Sequence, residues 1–267
     1  MAHEGDEMTK KFWMSFSSVS MALFAYLFLY VPILILIIFS FNSKSFPSPW
    51  DHFTLNWYRE LFSTKEIWTS FTNSLIVATF STLLSLSMGV FLIFFRATGG
   101  EIRKAIPLFY GNLIIPETML ALSLLSYFTF FKIELGMTTL VVAHTVLGLG
   151  FVIPILYTRY LQLDRKLNEA SQVLGATSRQ TFFKITLPLL RPTLIATGLL
   201  IFILSFDDFI LSYFCAGTSV QTLSLYLLQM LRSGISPIVN ALSGILLFLS
   251  SILVMFFFSP KIRSRIL

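Results

Sequence analysis

Long apolar runs, each of about 20 residues or more, constrain this chain more than any other feature. A helix of that length crosses a hydrocarbon layer about 30 Å thick. The runs lie near 16–41, 69–95, 105–131, 138–158, 189–214 and 238–259. They carry no turn signals every ten residues, which argues against a β-barrel. Charged residues make up 12% of the 267-residue chain and mean hydropathy is +0.80, whereas soluble domains carry about 25% charge. The expected fold class is therefore all-α: a polytopic membrane protein with six transmembrane helices.

Charge orients those helices. If both termini share one side, that side collects fourteen of the 19 Lys and Arg residues, including Lys10, Lys11, Arg103, Arg165 and Arg263. Lys44, Arg59, Lys65, Lys132 and Arg232 remain for the other. Cytoplasmic loops hold the excess of basic residues, so both termini are expected in the cytoplasm. The same bias accounts for the net charge of +6 through an anionic lipid leaflet, without nucleic acid. The single Cys215 excludes an intramolecular disulfide and a cysteine metal site. No metal site or cofactor is expected. The first apolar run follows Lys10 and Lys11 but is too long for a signal-peptide core, so a retained anchor is expected. The 42–68 loop falls outside, and its Trp57 and Tyr58 suit an interfacial helix.

One segment between the fourth and fifth runs is polar. Over 163–188, Leu163, Leu167, Ala170 and Leu174 share one face of a short amphipathic helix. Ala170 and Ser171 are small enough for another surface to approach. Gly175 suits a helix end at positive φ. Thr177 and Gln180 fit a capping box that opens a second short helix, with Phe182, Ile185 and Leu189 on its apolar edge. Pro188 then falls in the first turn of the next span, where a missing N–H matters least. A helical hairpin lying on the membrane surface would account for the pattern. So would a docking surface for a soluble partner.

Glu169-Ala170-Ser171, Gly175 and Ile185-x-Leu187-Pro188 resemble the EAA motif of binding-protein-dependent ABC importer permeases. The family pattern has Ala where this chain has Ser171. The resemblance implies that the segment is a coupling loop seated on a cytoplasmic ATPase, with Glu169 in polar contact, Ala170 packed closely and Gly175 making the turn. Ser205-Phe206-Asp207-Asp208, Pro116-Glu117, Phe39-Ser40-Phe41-Asn42, Gly234-Ile235-Ser236-Pro237 and Asn240-Ala241 resemble the spermidine/putrescine branch of that family. Ser224, where that branch has proline, and Ile238, where it has an acid, depart from it. The resemblance implies a tail, first helix and external loop over 1–65, the transporter domain over 66–258 and a basic cytoplasmic tail over 259–267. It also implies a second homologous permease, two ABC ATPase subunits and an external polyamine-binding protein. The location implied is the bacterial inner membrane.

Glu117, Asp207 and Asp208 are the acids inside or near the runs. A charge at a helix centre costs about 2.5–3.5 kcal/mol on insertion scales, so such groups face a bundle interior or a wet cavity. No intramembrane Lys or Arg is available to pair with them. A polyamine, with ammonium groups on an apolar stem, suits carboxylates spaced along a path. An interfacial pair would equally explain Asp207 and Asp208. His144 is expected as a hydrogen-bonded packing residue rather than a proton relay. No Walker-type ATP-binding segment is present, so the chain is expected to be a transport subunit and not an enzyme. The rival readings are the same importer for another small solute, an ion-coupled secondary transporter, and an intramembrane enzyme.

Overall fold

The computed structural model describes the backbone of residues 2–44, 48–233 and 237–257, and the side chains of 20–44, 48–232 and 237–252. In chain order the helices are α1 (Ala2–Phe39), α2 (Asn56–Ser63), α3 (Lys65–Ala97), α4 (Ile106–Ile114), α5 (Glu117–Phe130) and α6 (Met137–Gln162). There follow α7 (Arg165–Val173), α8 (Ser178–Thr181), α9 (Leu187–Asp207), α10 (Ile210–Cys215), α11 (Leu223–Ser233) and α12 (Pro237–Phe257). Among the described residues there is no β-strand, only an isolated bridge between Asn42 and Phe53. The all-α class is therefore observed.

Among the described residues four helices are long and apolar enough to span: Ser20–Phe39, Lys65–Ala97, Met137–Gln162 and Ser178–Asp207. The third and fifth expected spans are not simple rods. The third breaks into α4 and α5, bent by 114°. Pro116 is the cause, because proline forces the preceding residue out of the α region. Ile115 accordingly sits at ψ 130° and Pro116 at ψ 136°. The fifth begins earlier than expected. α8 runs through a π-turn at Phe182–Thr186 into α9, just before Pro188, which has no N–H for the α-helical ladder. It then breaks at Asp208, ψ 130°, before α10 resumes.

The chain divides into two compact units. The larger, Lys65–Gln229, is built on α3 packed against α6 and α9, with α4 on α6 and α10 on α5. Lipid offers these helices no hydrophobic driving force, so close backbone approach and polar contacts hold them. Ser81 and Ser85 on α3 are buried, and the Ser85 hydroxyl donates to the Thr145 carbonyl at 3.1 Å. A Cβ on Gly148 would strike Ser85, and one on Gly89 would strike Val152. Val77, Ala121, Leu140, Ala143 and Leu211 form one apolar core cluster, and Ile93, Val152, Leu156, Phe182 and Leu190 another.

The smaller unit contains the described residues up to Thr64 and from Met230 on. Here the 42–68 loop carries the helix α2. Trp57 Nε1 donates to the Asn42 carbonyl at 2.8 Å, and the Tyr58 hydroxyl lies 2.7 Å from that of Ser40. Phe41 stacks on Tyr58 with ring centroids 5.1 Å apart. In the same loop the Ser43 hydroxyl donates to Asp51 at 3.0 Å. That bond, helped by Lys44 and His52, holds the exposed Asp51 carboxyl below its ordinary value.

Candidate functional site

The two broken helices break at the same place. A cavity of about 590 Å³ in the larger unit is lined by Glu117, Asp207 and Asp208, together with Asn112. Its remaining lining is apolar, from Leu113 and Ile115 to Leu204 and Phe209. No lysine or arginine is among the described residues lining it. Non-helical backbone at membrane depth is tolerated where it lines a cavity. Here both interruptions, at Ile115-Pro116 and at Asp208, do so.

Each acid has a different setting. Glu117 is half-buried in the first turn of α5, where the helix dipole favours a carboxylate. Asp207 is exposed at the end of α9. Asp208 is buried at 7% exposure and shares the cavity lining with Glu117. Asp208 Oδ2 also accepts from the Ser212 N–H at 3.0 Å, so it caps α10. The Asp208 carbonyl, freed by the break in α9, accepts from the Ser224 hydroxyl at 2.7 Å. Ser224 departs from the proline of the polyamine branch, and proline has no hydroxyl to serve that carbonyl.

Of the polar residues behind the acids, sequence reasoning expected His144 as a hydrogen-bonded packing residue and passed over Asn112, Ser81 and Ser205. Asn112 lines the cavity and donates to the Val146 carbonyl at 3.0 Å. His144, on α6, is buried with Nδ1 2.8 Å from the Ser205 hydroxyl. Ser205 in turn lies 3.1 Å from Ser81. The available signal was four polar residues within apolar runs on four different helices, none with an obvious partner.

The polar loop forms a second site. α7 is capped by Asp164, whose carboxylate accepts from the Lys166 N–H at 2.9 Å. It ends in a Schellman turn: Ala176 N–H donates to the Ser171 carbonyl at 3.0 Å and Gly175 N–H to Gln172 at 2.9 Å. Gly175 has φ +86°, as expected. The Thr177–Gln180 capping box is present. Two expectations need correction. Leu163 belongs to the end of α6 rather than to the face of α7, because the chain turns extended there. Ser171 does not face outward beside Ala170. It is buried, donates to the Asn168 carbonyl at 2.8 Å, and so accepts from Thr181, 2.7 Å away. The hydroxyl thus ties α7 to α8, which an alanine could not do.

Glu169 and Ala170 are exposed, as are Leu167, Val173 and Leu174, the last two at 88%. Glu169 borders a cleft of about 320 Å³ with Arg96, Arg165 and Gln172. Ile185 and Leu187 are half-buried around the π-turn, and Pro188 is exposed. The hairpin therefore combines a rigid frame with an uncovered apolar surface. The Gly234-Ile235-Ser236 segment lies outside the described residues.

Residues 104–265 match the family of binding-protein-dependent transport system inner membrane components. The chain belongs to that family. Among its relatives is the spermidine/putrescine transport system permease protein PotC of Escherichia coli, 37% identical, with 80% of this chain and 82% of the relative covered. The putrescine transport system permease protein PotI of Escherichia coli is 32% identical, with 78% and 77% covered. A crystal structure of a bacterial ABC transporter that imports the acidic polysaccharide alginate has the same fold. It aligns with a TM-score of 0.71 at 16% identity over 93% of this chain and 94% of that one. The relatives are permease subunits of transport systems, and family members are inner membrane components.

Proposed function

We propose that this chain is the permease subunit of an ATP-driven importer of polyamines, crossing the inner membrane six times with both termini in the cytoplasm. The observation that carries the substrate class is the meeting of Glu117, Asp207 and Asp208 on one apolar-walled cavity. A linear polyamine presents ammonium groups joined by methylenes. Carboxylates recognise the ammonium groups, and apolar walls suit the stem. Grouping the acids at helix breaks, and not along one regular helix, lets one cation meet several carboxylates. The similarity to PotC and PotI supports the same substrate class.

A single six-span chain forms half of such a pathway, so a second homologous permease completes it. An external polyamine-binding protein delivers the substrate. Two cytoplasmic ATPases supply the drive, and Glu169, Ala170, Gly175, Ile185, Leu187 and Pro188 form the surface on which one of them acts, with Ser171 bracing it from behind. Closure of the ATPases on nucleotide moves the α7–α8 hairpin. Because α8 runs through the π-turn into α9, that movement reaches the break at Asp208, at the far end of the same continuous rod.

The test is uptake of labelled putrescine and spermidine by the complex reconstituted in vesicles, with and without ATP. Uptake is expected only with ATP. Glu117→Gln keeps size and hydrogen-bonding capacity but removes the charge. A charge-assisted hydrogen bond is worth about 1.5–3 kcal/mol, so the KM for uptake should rise roughly tenfold or more. Unchanged uptake kinetics in Glu117→Gln, Asp207→Asn and Asp208→Asn together would remove the carboxylate path.

A further inference from the structure

We infer that His144 is a positioning residue for the cavity: it orients the Asp208 carboxylate, and through it the carboxyl pair that meets a cationic substrate. The inference rests on the cavity reading above and adds a residue that does not line the cavity.

The geometry is a chain across three helices. The His144 side chain, on α6, is fully buried, and that of Asp208 is 3% exposed. His144 Nδ1 is held 2.8 Å from the Ser205 hydroxyl, one turn before Asp208 on α9. Ser205 is braced 3.1 Å from Ser81 on α3. The imidazole is thereby anchored at one nitrogen. The other, Nε2, has no hydrogen-bond partner, and Asp208 Oδ2 stands 3.5 Å from it. That is within ion-pair range but longer than a formed hydrogen bond. A buried ring nitrogen left in this state needs a reason, because an unsatisfied buried polar atom costs about 1–3 kcal/mol.

Proton accounting supplies one. The Ser81 hydroxyl is 3.3 Å from the Ala78 carbonyl, which can only accept. With Ser81 donating there, Ser205 donates to Ser81, and His144 Nδ1–H donates to Ser205. Nε2 then attracts Asp208 only with a proton between them. With the opposite tautomer, Nε2–H points at the carboxylate directly. With a proton on either Nε2 or the Asp208 carboxyl the two groups attract, and a small turn of Asp208 closes the 3.5 Å gap. Asp208 also lines the cavity, together with Glu117. Asp208 thus stands between a fixed imidazole and a cavity carboxyl. Among the described residues, Asp207, exposed on α9, and Cys215, buried on α10, are the other titratable groups near it. From α3, Ser81 reaches the chain through Ser205. A substrate ammonium arriving beside Glu117 meets an Asp208 already aimed at the cavity. Pre-set orientation lowers the ordering cost of binding.

Two substitutions separate positioning from packing. His144→Asn retains a group that reaches Ser205 but ends short of Asp208. His144→Gln is long enough to present an amide N–H near the Nε2 position. With labelled putrescine as probe, and rates taken per assembled complex, H144N should raise KM about tenfold with little change in maximal rate. H144Q should stay within about threefold of the unsubstituted protein. When D208N is already present, H144N should add less than about twofold, because both changes remove the same contact. Equal KM values for H144N and H144Q, or H144N and D208N effects that multiply in full, would overturn the inference. If D208N alone leaves KM unchanged, this inference falls, and the cavity reading falls with it only if Glu117→Gln and Asp207→Asn are also without effect. If D208N raises KM and H144N multiplies it in full, only the role of His144 falls.

Discussion

Adjacent aspartates in this chain do different work, and burial separates them. Asp207 is exposed, while Asp208 caps α10 through Ser212 and faces His144. Removing the Asp208 side chain takes the acceptor from the Ser212 N–H and the facing carboxyl from His144 Nε2. Asp208→Ala is therefore expected to destabilise the purified protein by roughly 1–3 kcal/mol. Asp208→Asn keeps an acceptor for Ser212 and should cost less. Asp207→Ala should stay within about 0.5 kcal/mol, as substitutions outside such contacts do. Thermal unfolding of the three variants in detergent reads these differences directly, and equal midpoints would show that Asp208 is no cap. From sequence the two were indistinguishable, because they are neighbours at the end of an apolar run. The break between α9 and α10 leaves Asp207 exposed and Asp208 buried.

At the scale of elements, the α7–α8 hairpin depends on one backbone conformation. Gly175 sits at φ +86°, and a Cβ there would meet nothing within 4 Å. The penalty for a side chain is thus backbone strain and not a clash. Gly175→Val, β-branched, should cost about 1–3 kcal/mol and open the Schellman turn. Gly175→Ala should be milder. Normal membrane insertion with weakened co-purification of the ATPase is the expected phenotype; full co-purification and full uptake with Val would leave the turn without a coupling role. This hairpin was legible in the sequence because caps and turns are local chemistry: Thr177, Gln180 and Gly175 each act within a few residues. The helix breaks were less so. Hydropathy counts apolar residues without recording direction, so 105–131 reads as one rod although it turns by 114° at Pro116. The fifth run likewise hides the break at Asp208, which is stabilised by Ser212 and Ser224, the latter sixteen residues away. His144 was undervalued because its partners, Ser205 and Asp208, lie on a helix remote in sequence.

For the whole molecule, orientation is the proposal on which coupling depends, since the α7–α8 hairpin meets a cytoplasmic ATPase only if the basic loops face inward. Five Lys and Arg residues against fourteen is a large bias, and it is distributed over every loop and both tails. Single-cysteine reporters can test it cleanly because the native Cys215 is buried and should not react with a membrane-impermeant maleimide. Thr98 follows α3 and is exposed; Glu60 is exposed on α2. In intact spheroplasts Glu60→Cys should be labelled from outside, while Thr98→Cys should be labelled only after the membrane is opened. A third reporter at exposed Gln172, on the hairpin itself, should behave as Thr98 does. When the ATPase is present, that site should also lose reactivity, because the docked subunit covers α7. Labelling of Thr98→Cys from outside would reverse the orientation and, with it, remove the hairpin from the side on which ATP is available.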